Sequence, residues 1–141
     1  MSVRFVLLPL FVEVLLTFGV MLGMMYFRTT SLRRGEARLA DISLREPNWP
    51  RRATQFGYAF ANQFELPVLF YVLTILVIIT RHADLVFVLL AWIFVLMRVL
   101  QAVVHVTNNN VRMRGAYYGV GALILFIMWI IYIVRIILAL P

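Results

Sequence analysis

The sequence predicts an all-α integral membrane protein built as a four-transmembrane-helix bundle. Three observations carry that reading. The composition is 64% hydrophobic and only 13% charged, which lies outside the range of soluble domains. Four apolar stretches, about 5–27, 57–80, 84–106 and 116–138, each reach the ~20 residues that a helix needs to cross a ~30 Å hydrocarbon core. The alternating segments of the other spanning solution, a closed barrel, are absent. With 141 residues the chain has room for a single domain, 1–141.

The first stretch exceeds the ~7–15 residues of a signal-peptide core, and no A-x-A-like cleavage site follows it, so it reads as a retained helix. Glu13 lies in its outer half and is expected to face another helix or subunit rather than lipid. Gly19 and Gly23, like Gly115 and Gly119 in the fourth stretch, stand four apart and predict close helix contacts. The connection 28–56 has mixed cues: Gly35 as a breaker, Asp41 and Ser43 as caps, and Pro47 and Pro50 flanking Trp49. A short helix or ordered hairpin over the cytoplasmic mouth is expected there.

The second stretch contains ANQFELPVLFYVL, residues 61 to 73. On a continuous helix Asn62 and Glu65 project from nearly the same face. Pro67 should kink the helix just beyond Glu65 and free a backbone carbonyl. In the third stretch Arg98, Gln101, His105 and, beyond its end, Asn109 recur at i, i+3, i+7 and i+11, one stripe from mid-membrane to the following loop. Arg114 and Tyr118 share a face where the fourth stretch begins. Trp92 and Trp129 fall near mid-span and read as packing residues.

All 13 basic residues are arginine, and the net charge is +7. They crowd between the apolar stretches rather than along one soluble face, which fits an anionic lipid surface and excludes nucleic acid as a partner. Arg28, Arg33, Arg34, Arg38, Arg45, Arg51 and Arg52 lie in the first connection and Arg112 and Arg114 in the third. Only Arg4, Arg81 and Arg135 lie toward the other side. The positive-inside rule therefore makes the two arginine-bearing loops cytoplasmic and both termini extracytoplasmic. The absence of cysteine excludes disulfides and thiolate chemistry, and with only His82 and His105 no metal site is expected.

Two readings of the polar residues compete. In one, Glu65 pairs with Arg98 inside the bundle, and the amides and His105 satisfy what remains and fix helix register. In the other, cations and one carboxylate surround a small polar ligand, the default for ionisable residues within a membrane. The excess of arginine over glutamate favours the second.

The run NQFELPVLFYVL, followed by Arg98, His105, Asn109 and Arg114 at their spacing, resembles the MAPEG superfamily, the membrane-associated proteins in eicosanoid and glutathione metabolism, and most closely its bacterial branch. The resemblance implies a homotrimer in a bacterial inner membrane, with a site between subunits open to the cytoplasmic side. It implies that Asn62, Glu65 and Arg98 contact glutathione, and that Arg114 faces its sulfur with Tyr118 one turn later. Asn109 and His105 complete the candidate set, with His105 and Arg114 as the catalytic pair. Two positions depart from the eukaryotic enzymes: Tyr58 stands where an arginine is frequent, and His105 where a tyrosine is frequent.

The implied activity is that of a glutathione S-transferase or peroxidase acting on lipophilic electrophiles that arrive from the bilayer. A thiol of pKa near ~8.5 is mostly protonated at neutral pH, and a neighbouring guanidinium favours the thiolate. Such a site needs no metal. The alternative is a non-catalytic membrane scaffold or accessory subunit with a structural polar core. A small transporter ranks third, because the paired discontinuous helices of inverted repeats are not evident.

Overall fold

A computed structural model describes residues 1–44 and 48–141. Five α-helices form four membrane-spanning units: α1 Val3–Arg33, α2 Arg51–Asn62 with α3 Leu66–Ile79, α4 Leu85–Val106 and α5 Val111–Ile137. No strand occurs among the described residues. The chain is an all-α bundle whose four units are long and apolar enough to cross a membrane.

Helix α1 has 31 residues, or roughly 46 Å at ~1.5 Å per residue, well beyond the ~30 Å apolar layer. Hydropathy marks where hydrocarbon ends, whereas the helix continues through Thr29, Thr30 and Ser31 to Arg33. It stops at Gly35, whose φ of 72° suits a residue without Cβ. There the Glu36 N–H donates to Ser31 O at 2.9 Å, which closes the last turn.

Much of the expected 28–56 loop is thus helix, since α2 begins at Arg51. Between them lies one 3-10 turn, Leu39–Ile42, the anticipated short helix. Asp41 falls inside it and Ser43 just after it, so neither caps the start of an α-helix. Pro47, with Arg45, lies outside the described residues, and Pro50 is the N-cap residue of α2.

The second span breaks instead of kinking. Helix α2 ends at Asn62, and α3 begins at Leu66 with Glu65 as its N-cap residue and Pro67 in its first turn. Proline fits a first turn, where its missing N–H would have no intrahelical acceptor. The local sequence therefore favours a new helix start over a bent continuation. Asn62 and Glu65 consequently flank a break and do not share a helix face.

Helix α4 packs against α1, α2 and α5, and α3 against α1 and α5. The apolar core joins Phe70, Leu73 and Val77 of α3 to Phe87, Ala91, Phe94 and Val95 of α4, with Leu125 and Met128 of α5. Phe70 and Phe94 sit with ring centroids 4.9 Å apart. Trp129 packs against this core as expected, but Trp92 is 40% exposed and faces outward. Of the four paired glycines only Gly23 makes a close approach: the Phe56 ring of α2 occupies the space where its side chain would be. Nothing lies within 4 Å of a side chain at Gly19, Gly115 or Gly119.

Candidate functional site

The break between α2 and α3, the end of α4 and the start of α5 enclose a cavity of about 420 Å³. Its walls are Tyr58, Ala61 and Asn62 of α2, Glu65 at the break, Gln101 and His105 of α4, and Val111, Arg114, Gly115 and Tyr118 of α5. Polar groups from three spans meet here, as the sequence led us to expect of Asn62, Glu65, His105, Arg114 and Tyr118. Arg98 and Asn109 do not line it.

Arg98 turns inward. It is 1% exposed, and its nearest charge is Glu13 of α1, 0% exposed, with Nε to Oε1 at 4.0 Å. That separation is an ion contact too long for a hydrogen bond. Arg98 Nη1 donates to Gln101 Oε1 at 2.6 Å, and Nη2 donates to the Asn62 carbonyl at 3.0 Å. The Asn62 carbonyl can accept because it lies at the end of α2, where a last-turn oxygen has lost its intrahelical donor. Arg98 therefore reaches the cavity only through two of its wall residues.

This corrects the Glu65–Arg98 pair. Among the described residues the ion pairs are Arg98–Glu13 and Arg135–Asp84, and Glu65, which is exposed, takes part in neither. The helix break carries the Glu65 side chain to the cavity wall, while Arg98, deeper along α4 than the cavity-lining Gln101 and His105, turns to Glu13 of α1. Glu13 meets another helix, as expected. The signal that could have paired it with Arg98 is depth: each is the charged residue nearest the middle of its span.

Asn109 serves Arg114. Its φ of 54° lies in the left-handed region, which asparagine tolerates, and its Oδ1 accepts from Arg114 Nη1 at 2.7 Å. Next to it, Asn110 caps α5 by accepting from the Arg112 and Met113 N–H groups at 3.1 and 3.3 Å. The run of three asparagines thus sets both the start of α5 and the position of the Arg114 guanidinium. His105 is 6% exposed, and its Nδ1 has no hydrogen-bond partner.

Tyr58 and Gln101 line the cavity although the sequence did not single them out as ligands. Tyr58 stands one helical turn before Asn62, and Gln101 belongs to the α4 stripe, so helical spacing could have added both. Charge in the cavity reduces to the Arg114 guanidinium and the Glu65 carboxylate, with His105 between them in chemical type. That set can hold a small zwitterion and stabilise an anion. Among the described residues no group of three or more His, Asp or Glu side chains is placed to hold a metal ion.

No curated protein and no solved structure matches the chain. Residues 6–134, nearly the whole length, match the MAPEG family, and they include the broken second span and every wall of the cavity. With four spans in an all-helical bundle and this match across them, the protein is an integral membrane protein that belongs to the MAPEG family.

Proposed function

We propose that the cavity binds a small thiol of the glutathione type and presents its sulfur, as the thiolate, to lipophilic electrophiles entering from the bilayer. The observation that carries this reading is Arg114: a guanidinium at the cavity wall, held by Asn109 at 2.7 Å and paired with no carboxylate among the described residues. A fixed cation lowers the pKa of a neighbouring thiol and costs no reorganisation when the anion forms. Glu65 can accept from the ligand's ammonium, and Asn62, Gln101 and Tyr58 offer donors to its carboxylates. His105, with an unpartnered Nδ1, is the candidate base for the thiol proton. The thiolate lone pair then forms the sulfur–carbon bond as the electrophile's leaving group departs or its double bond accepts the electrons.

The same reading takes the chain as a homotrimer in a bacterial inner membrane, with a neighbouring subunit closing the cavity and the arginine-rich loop in the cytoplasm. Many large apolar side chains on all four spans are exposed in the single chain, which supports burial by lipid or by other copies.

A second reading is favoured by Arg98. Its engagement with Glu13 leaves one guanidinium for the two carboxylates of glutathione, and a non-catalytic scaffold would keep such a polar core for register alone. Mixing purified protein with millimolar glutathione near neutral pH separates the two. The enzyme reading expects thiolate absorbance in the ultraviolet and heat on titration, with the absorbance abolished in Arg114→Leu and reduced in His105→Ala. Neither signal from the wild-type protein would leave the scaffold.

A further inference from the structure

A second cavity, of about 280 Å³, opens on the side of the arginine-rich connection between the end of α1 and the start of α2. We propose that it is a binding site for the phosphate of an anionic phospholipid headgroup in the adjoining leaflet.

Arg34, Arg51 and Arg52 line the cavity, with Glu36 as its one acidic wall residue. Arg52 is committed: its Nη1 donates to the Val106 carbonyl at 2.8 Å, and its guanidinium lies over the Phe27 ring, 5.4 Å from the centroid. It therefore presents a fixed positive wall. Arg34 and Arg51 are exposed and make no ion pair or side-chain hydrogen bond among the described residues, so both guanidinium forks remain to clasp an oxyanion. Glu36 cancels at most one of the three charges.

The local backbone adds to this field. Arg51 and Arg52 occupy the first turn of α2, where the helix dipole already places positive potential, and that turn has neither an acidic residue nor a side-chain cap. Two cations at that end oppose each other and the dipole. An anion in the adjacent cavity relieves both.

The apolar surroundings select a lipid over a soluble phosphate. Leu15, Phe18, Leu22 and Met25 form an exposed stripe along α1 at helical spacing. The stripe runs toward exposed Tyr26 and, one turn later, Thr30, both of which line the cavity. A headgroup seated among the arginines would lay its acyl chains along this stripe. Basic pockets beside spanning helices at the membrane surface suit that headgroup chemistry. Arg33 and Arg38, equally exposed and equally charged, lie outside the cavity and supply the control.

Native mass spectrometry of the protein in detergent, with phosphatidylglycerol or phosphatidylcholine of identical acyl chains added, tests the site away from any bilayer surface potential. Wild-type protein should retain phosphatidylglycerol in preference to phosphatidylcholine. Arg34→Gln with Arg51→Gln should weaken that retention on the order of tenfold per lost charge-assisted contact. Arg33→Gln with Arg38→Gln should leave it unchanged. Glycerol 3-phosphate, which lacks acyl chains, should compete only weakly, and competition as strong as the lipid's would overturn the lipid in favour of a soluble phosphate compound. An equal loss in both double variants would mean diffuse charge without a site. The proposal also fails if the wild type shows no preference between the two lipids.

Discussion

A guanidinium offers five donors, and the distribution of those of Arg98 ties three of the spanning units together at one point. Glu13 supplies the counter-charge from α1, the Asn62 carbonyl accepts from across the broken helix, and Gln101 accepts within α4. Both Glu13 oxygens and Arg98 Nε have no hydrogen-bond partner, so Coulomb attraction alone joins the pair at its closest point. In so dry a site the loss of one partner strands the other. Arg98→Met or Glu13→Leu should each destabilise the detergent-solubilised protein by about 3–5 kcal/mol, and the double variant should be far less impaired than the sum of the two. Thermal unfolding of the three variants measures this, and strict additivity would show that the charges are not coupled.

The elements follow local chemistry more faithfully than they follow hydropathy. The spans were legible because apolar length is itself the physical requirement for crossing a bilayer. The ends were not, because a helix can run on into water while its hydrogen bonds hold, as α1 does through its threonines and Arg33. The break at 63–65 was legible only as a disturbance: Pro67 signals that the ladder must fail nearby, and whether a kink or a restart results depends on what donates to the freed carbonyls. Here Arg98 takes that role on one side by donating to the Asn62 carbonyl, a long-range fact that adjacent residues do not encode. Small-residue spacing is equally ambiguous, and only Gly23 meets a neighbour. The stacking of Phe56 on Phe27, with centroids 5.0 Å apart, depends on that gap. Gly23→Leu should push the Phe56 ring aside and lower stability by about 1–3 kcal/mol, whereas Gly19→Leu should be nearly neutral. Chemical denaturation of the two variants side by side reads the difference.

Across the whole molecule the candidate site was largely legible from depth, since Asn62, Glu65, His105, Arg114 and Tyr118 all line one cavity, although the helical spacing read for Asn62 and Glu65 fails at the break. What escaped was the division of labour among the arginines. Charge counting treats Arg98 and Arg114 alike, yet one is bound inside the bundle and the other lines the cavity. Orientation in the membrane rests on the loop arginines. A reporter enzyme active only outside the cytoplasm, fused after Pro141, should be active, and the same reporter placed in the loop near Arg38 should be silent. The reverse pattern would put the cavity of Asn62 and Arg114 on the extracytoplasmic face, away from a cytoplasmic thiol.

The Glu13–Arg98 contact also bears on how the chain is made. Helix α1 leaves the ribosome long before α4, so during synthesis an acid near the bilayer midplane has no counter-charge. A lone acidic residue at the centre of a helix disfavours insertion by roughly 2.5–3.5 kcal/mol, which the surrounding leucines and valines must outweigh until the third spanning unit arrives. Completion of α4 then converts a misplaced charge into a latch. Chains cut short before Arg98 would keep the exposed acid, a mark by which a membrane protease could tell an unfinished copy from a finished one.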